Sequence, residues 1–443
     1  MNLRISKSAV YQYILIYLML VFNGTNLYQQ ASINAPSTLT LVQVAIIIVF
    51  CLYSLHKKAK GTCAYPLILF AFLLVSTVIV RYTAGGVGLQ VMLEYGSHIF
   101  LVYLAIIANT NKFIERTIKV VTFFAVISII GYIIQLLSPS ILQKLLTSYA
   151  SIFNDSDWST GERILINKRV WGIIFFSMRE GELQRNIGIF TEPANYQIVL
   201  NVTLFMLLFF QKYLSYDLRK IIKVFFLLSI ALITTQSTSG YIVYFAILLI
   251  YILSNKRNSD SSFAGTLKRN ILLLVGIGIC LLGIDFLVNN QRSILYTVAI
   301  SKLIGNNGTF DLNAGSGYYR MVTIESCFNL MIKNPFGVGF DTANMVTKNI
   351  VSGAAGGAFI TFGAAYGLIP FIVVLLWIFL PVIKNIQMSI PIKILFVFMF
   401  LEIGMAQSKV FYPFLISIPL IQYIHDNSNL SQHNIDKEVN YRG

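Results

Sequence analysis

Charge is what this chain of 443 residues lacks most: only 12% of them are Asp, Glu, Lys or Arg, against 56% hydrophobic. That leaves too little polar surface to cover a soluble globule of this size. Cysteine is also scarce, at four residues. Cys51 and Cys280 fall in apolar runs, Cys63 lies at the edge of one, and only Cys327 sits in a polar stretch, so no outward-facing pair exists to form a disulfide. The four histidines, His56, His98, His425 and His433, are scattered without metal-ligand spacing. P-loop, dinucleotide fingerprint and fixed-period repeat are missing too, so the expectation is a protein without a cofactor.

Long apolar runs fill the space. A membrane helix needs about 20 mostly apolar residues, and the mean hydropathy of +0.72 comes from such runs recurring along the chain. Twelve are expected to span, at 9–22, 39–55, 64–80, 91–108, 118–137, 196–211, 221–236, 240–254, 270–288, 357–379, 392–407 and 410–424. Lys and Arg collect on the cytoplasmic side of a membrane protein. Arg4 and Lys7 precede the first run, and "HKKAK", "NKFIERTIK", "QKYLSYDLRKIIK" and "NKRNSDSSFAGTLKRN" fall in alternate connections, whereas "NGTNLYQQASINAPST" and "QSTSG" carry no cation. This alternation predicts a single all-α, polytopic domain over 1–443 with both termini cytoplasmic. The first run lacks a small-residue cleavage site and reads as an uncleaved anchor.

The net charge of +15 then follows from topology and anionic headgroups, and nucleic acid is not needed as a partner. Eleven of the 33 cations are left over in two long outward-facing loops, 138–196 and 289–356. In the first, Arg163, Lys168, Arg169, Arg179 and Arg185 alternate with aromatics and acids, the pattern of a short amphipathic helix or hairpin along the membrane surface. Arg185 and Glu192 stand where the chain re-enters the bilayer, and charge there is costly unless paired or facing a wet cavity. Pro193 suits the first turn of the next helix, with Glu192 against its dipole. A capping acid with an arginine partner and a catalytic or ligand-binding pair both fit. In the second loop, Met321, Ile324, Phe328 and Met331 recur at helical spacing, so Arg320 opens an amphipathic helix that Pro335 ends. Gly337 and Gly339 allow a tight turn or close approach to a ligand. A cation in a first turn opposes the dipole, and a phosphate or diphosphate would justify Arg320 there.

Three stretches now stand in order: "RNIGIFTEP" before a span, "TTQSTSGYIVYFAILLIYIL" opening another, and "YYRMVTIESCFNLMIKNPFGVGFD" after the second long loop. Together they resemble the bacterial O-antigen polymerase and O-antigen ligase superfamily, over about residues 180–380 and in overall topology. The resemblance implies a GT-C-like membrane glycosyltransferase of the cytoplasmic (inner) membrane. Its donor and acceptor would be undecaprenyl-diphosphate-linked oligosaccharides on the outer face. Membrane lipids, a chain-length regulator and a flippase of the same pathway would be its partners. Ligases carry a histidine leading into the span after the "GVGF" turn, and "TKNIVSGAAGGAFITFGAAYGLIPF" has none, which favours a polymerase.

On that resemblance Arg320 and Arg185 clamp the diphosphate, with Arg163, Arg169 or Arg179 assisting, and Glu192 acts as base or orients the acceptor. Ser237, Thr238 and Ser239 offer hydroxyls or else satisfy backbone ends in a tight turn. Tyr318 and Tyr319 are sugar-stacking platforms or packing residues. Glu94, Asp285 and Glu402, inside expected spans, feed the rival expectation of a transporter such as the flippase itself.

Overall fold

The computed structural model describes residues 6–56, 62–84, 88–147, 156–158, 168–172, 175–179, 185–254, 262–289, 293, 316–350, 357–406 and 410–425. Helices dominate. In chain order they are α1 (Lys7–Phe22), α2 (Asn26–Asn34), α3 (Pro36–Leu55), α4 (Ala64–Thr83), α5 (Leu89–Ile107), α6 (Thr110–Leu137), α7 (Pro139–Thr147), α8 (Pro193–Phe209), α9 (Leu218–Thr234), α10 (Thr238–Ser254), α11 (Ser262–Asn289), α12 (Ser316–Lys333), α13 (Gly339–Ile350), α14 (Ala358–Tyr366), α15 (Leu368–Lys384), α16 (Ile390–Ala406) and α17 (Pro413–His425). All but one of the twelve expected spans coincide with a single helix. Among the described residues four helices, at 36–55, 64–83, 90–107 and 110–137, are long and apolar enough by themselves to cross a membrane. Their outer faces leave Leu41, Ile48, Leu52, Ile68 and Val78 exposed, a belt suited to lipid and not to water.

The bundle is built around α8. Every residue from Asn195 to Leu208 on it is buried, as expected of a helix apolar on nearly all sides. Helices α6, α9 and α10 pack around it, α1 and α3 pack on α5, and α16 packs on α10. Side-chain pairs show which ends lie together. Gln12 near the start of α1 donates to the carbonyls of Ala105 and Asn109 at 2.8 and 3.0 Å, and Lys112, Lys119 and Ser215 converge on Glu115 at 2.6 to 2.9 Å. This cation-rich end holds the starts of α1, α6 and α9. The opposite end gathers the starts of α8 and α10 and the close of α6.

Two expectations need correction. The tenth stretch, 357–379, is not one helix: Gly367 takes φ +94° and separates α14 from α15. Nor is the chain all-α. The first long loop holds an antiparallel sheet, β1 (Ser156–Trp158), β2 (Lys168–Gly172) and β3 (Ser177–Arg179), in the order β1-β2-β3. Strands paired in hairpin fashion are one of the two forms that the alternating pattern allowed. Phe176 packs with Leu142 and Leu146 of α7 and presses so close to α6 that a Cβ on Gly131 would come within 2.6 Å of its ring. Phe175 stacks on Phe124, further down α6, with ring centroids 6.4 Å apart.

Candidate functional site

The segment 185–192 is a buried strap with charged ends. Asn186, Ile187, Gly188, Ile189, Phe190 and Thr191 are all buried, while Arg185 and Glu192 at either end are half-exposed. Asn186 fastens the strap. Its Nδ2 donates to Thr234 Oγ1 at 2.9 Å and Ser128 Oγ at 3.3 Å, its backbone N–H reaches the Thr234 carbonyl at 3.0 Å, and its Oδ1 accepts from Gly188 N at 3.0 Å. Ser128 in turn pairs with the Tyr196 hydroxyl at 2.7 Å. Gly188 takes φ +58°, and a Cβ there would sit 3.0 Å from the Tyr196 ring, so the strap lies flat only because glycine occupies that position. Ile189 accepts from Asn26 N, and Phe190 bridges to Thr25, tying the strap to the α1–α2 turn.

These contacts set its depth. Thr234 ends α9, and its partner Asn186 also touches Ser128, nine residues before the close of α6 at Leu137; at 1.5 Å per residue that is about 13 Å down the helix. Gln236, in the α9–α10 turn, donates to the Tyr132 hydroxyl at 3.4 Å, about 7 Å down the same helix. Because α8, α9 and α10 have only 17 residues each beside the 28 of α6, the floor between them is sunken.

On that floor the structure brings Arg185 close enough to Tyr241 for its guanidinium to act on the phenol electrostatically, with Tyr132 also in range of Tyr241. Ser237 and Ser239 lie beside them, both buried, their hydroxyls 3.3 Å apart. Ser237 also caps α10 by accepting from Gly240 N at 3.4 Å, the turn-satisfying role that its position allowed. Gln236 holds φ +48°, which no other non-glycine among the described residues does in the left-handed region, at the edge of this cluster. Tyr132, Gln236 and Tyr241 escaped the sequence reading because a single tyrosine in an apolar run carries no signal; the "TTQSTSG" turn was the only pointer.

Glu192 occupies the N-cap of α8 with Pro193 behind it, as expected. Its side chain makes no capping bond; its carbonyl instead accepts from Asn195 N at 3.2 Å, leaving the carboxylate for other contacts. Next to it, the buried Thr191 Oγ1 finds no hydrogen-bond partner among the described residues, nor does Gln197 Nε2 one turn into α8. Buried donors and acceptors of this kind call for a polar visitor or water.

The other expected residues are placed elsewhere. Arg163 lies outside the described residues. Position 169 is in β2 opposite Asp157, from the acidic triplet Asp155-Ser156-Asp157, and position 179 in β3 is opposite Val170; alternation therefore puts 169 and 179 on opposite faces of the sheet. Tyr318, Tyr319 and Arg320 belong to α12, which begins at Ser316, so Arg320 stands in the second turn and not the first. It falls on the helix face that carries Thr323 and Cys327, which packs on α14. The strap's hydrogen bonds run to Ser128 of α6, Thr234 of α9 and Asn26 of α2, whereas α12 packs on α13, α14 and α16.

Gly337 and Gly339 make the tight turn that their spacing predicted, at φ +85° and +78°. The close approach at Gly337 is to the chain's own backbone. A Cβ there would meet the Ala365 carbonyl oxygen at 2.2 Å, and one on Gly367 would meet the Pro335 oxygen at 2.1 Å. Three comparisons, with protein-family models, with curated proteins and with solved structures, find no match to this chain.

Proposed function

We propose that the chain is a polysaccharide polymerase of the bacterial cytoplasmic membrane, with twelve spans, both termini cytoplasmic and a GT-C-like plan. It joins undecaprenyl-diphosphate-linked oligosaccharide repeat units at the outer face. The observation that carries this reading is the sunken floor, where one arginine and several hydroxyls meet within a largely apolar bundle, with Glu192 at the far end of the same strap. A lipid-linked diphosphate needs such a place, polar but within the depth of its own anchor.

In the proposed reaction the acceptor hydroxyl oxygen attacks the anomeric carbon of the donor glycan. The bond from that carbon to the diphosphate oxygen breaks, and polyprenyl diphosphate leaves with the electron pair. Arg185 balances the charge growing on the leaving group, with the Tyr132 and Tyr241 hydroxyls alongside. Glu192 receives the acceptor proton or orients the hydroxyl. Arg320, on a different wall, serves the diphosphate only if α12 and the strap draw together with substrate.

The test is the size profile of polyprenyl-linked and surface glycan in the host, with the gene deleted and then restored as wild type, Arg185→Ala, Glu192→Ala or Arg320→Ala. Polymerase function predicts that deletion collapses the ladder to single repeat units and that Arg185→Ala fails to rebuild it. Long polymer accumulating on polyprenyl diphosphate would mean a ligase. The break between α14 and α15 favours a transporter as the second reading, because broken helices line many transport sites; single units trapped facing the cytoplasm would establish it.

A further inference from the structure

Helices α12 and α13 form a hairpin whose tip is docked inside the bundle. Alongside α14, α12 runs in the same direction: Thr323 lies next to Gly357, Cys327 Sγ is 3.8 Å from Thr361 Oγ1, and Met331 packs on Gly363. The tip closes with Val338 N donating to the Ala364 carbonyl at 3.1 Å and with Gly337 against Gly367. Tyr366, at that level, pairs with Thr77 Oγ1 at 3.2 Å. Thr77 lies six residues before the end of α4, so the tip is about 9 Å below the end of a helix that is itself long and apolar enough to cross a membrane.

The face of α12 turned away from α14 is divided lengthwise. Met321, Phe328 and Ile332 make one exposed stripe, continued at the tip by Phe336, which is 57% exposed. Beside it Glu325, Asn329 and Lys333 follow at four-residue spacing, also exposed. Exposed apolar residues of the same kind mark α4 and α15, which pack on each other and on α14 beside α12: Val78, Ile79, Ile369 and Ile372. At the tip's depth, charged side chains such as Lys333 must face water or a polar cleft, because hydrocarbon would exact several kcal/mol for each.

We infer that the 316–350 hairpin is re-entrant and partitions the outer leaflet: acyl chains cover Phe328, Ile332 and Phe336, while Glu325, Asn329 and Lys333 line a wet cleft on the other side. A molecule with a polar head on a long apolar tail finds both its surfaces on this one element. The inference does not depend on glycosyl transfer, and its test contains no turnover.

Full-length protein with Cys51→Ser and Cys280→Ser, in vesicles of phosphatidylcholine and phosphatidylglycerol, carries one nitroxide at a time. Phe328→Cys, Ile332→Cys and Phe336→Cys sample the apolar stripe, and Glu325→Cys, Asn329→Cys and Lys333→Cys the polar one. The buried Cys63 and Cys327 stay in place. Collision with oxygen should exceed collision with a water-soluble nickel chelate at 328, 332 and 336, rising toward 336, and the order should reverse at 325, 329 and 333. Chelate access at 336 equal to that at 329 would overturn the inference by placing the hairpin in water. Oxygen dominance at 333 would overturn it by removing the wet cleft. Should one variant not elute as the parent does, the other two of its stripe decide.

Discussion

The joint between the α12–α13 turn and the α14–α15 break makes a strong stability prediction. At Gly337 and Gly367 two backbones touch, so replacement by alanine is penalised twice at each position. A left-handed conformation costs a residue with a Cβ about 1–2 kcal/mol. The added methyl would also meet a carbonyl oxygen at 2.2 Å at Gly337 and 2.1 Å at Gly367, far inside contact distance, and backbone cannot step aside as a side-chain tip does. Overpacking of this kind costs about 1–3 kcal/mol, so Gly337→Ala and Gly367→Ala should each destabilise by roughly 2–5 kcal/mol. Because one separation of the two strands of backbone relieves both contacts, the double variant should cost clearly less than the two singles combined. Gly276→Ala supplies the control. It sits within α11 with nothing in reach of its Cβ, and alanine in a helix should gain up to about 1 kcal/mol. Equilibrium unfolding by sodium dodecyl sulfate in mixed micelles reads all four. Single variants within about 0.5 kcal/mol of the parent, or additive costs in the double, would refute the docked-tip geometry.

Asn186→Ala removes three side-chain hydrogen bonds from the strap and should destabilise by about 2–3 kcal/mol on the same unfolding assay, with Asn186→Asp no better because a carboxylate cannot donate to Ser128 and Thr234. Tyr132→Phe, which loses the bond from Gln236, and Tyr241→Phe, which loses the bond to the Ile233 carbonyl, should each cost no more than about 0.5–1.5 kcal/mol yet shorten the glycan ladder, each lowering the rate of repeat addition by about 5- to 100-fold if the hydroxyl meets the leaving group. Glu115→Gln breaks both lysine contacts at the cation-rich end and the bond from Ser215, and should cost about 1.5–3 kcal/mol, visible as earlier unfolding without any change in chain length of the glycan.

How the elements lie along the chain was legible from composition alone. Apolar runs bounded by Lys and Arg had to become helices, because in hydrocarbon only a helix satisfies its own backbone within one segment. Pro193 and Pro335 marked a start and a stop correctly for the same local reason: proline fixes its φ and lacks an N–H. Glycine was harder to read. That Gly367 would break a span, or that Gly337 would meet backbone and not a ligand, depends on which helix arrives alongside, and nothing within ten residues of either encodes that.

The candidate site divides in the same way. Arg185, Glu192, Ser237 and Ser239 were visible as polar residues where hydrocarbon should begin, a conflict that any sequence displays. Tyr132 and Tyr241 were not, since a tyrosine in a span is ordinary until a distant segment, here the 185–192 strap, brings an arginine to it. Arg169 and Arg179 looked equivalent until the strand register put them on opposite faces, and Arg320 looked like the partner of Arg185 until packing set their two segments against different helices. The sequence by itself determined where polarity and charge occur along the chain, because solvation acts on each residue locally. Which of those groups meet, and at what depth, was decided only by the lengths and pairings of the helices, because those distances belong to contacts between residues far apart in the chain.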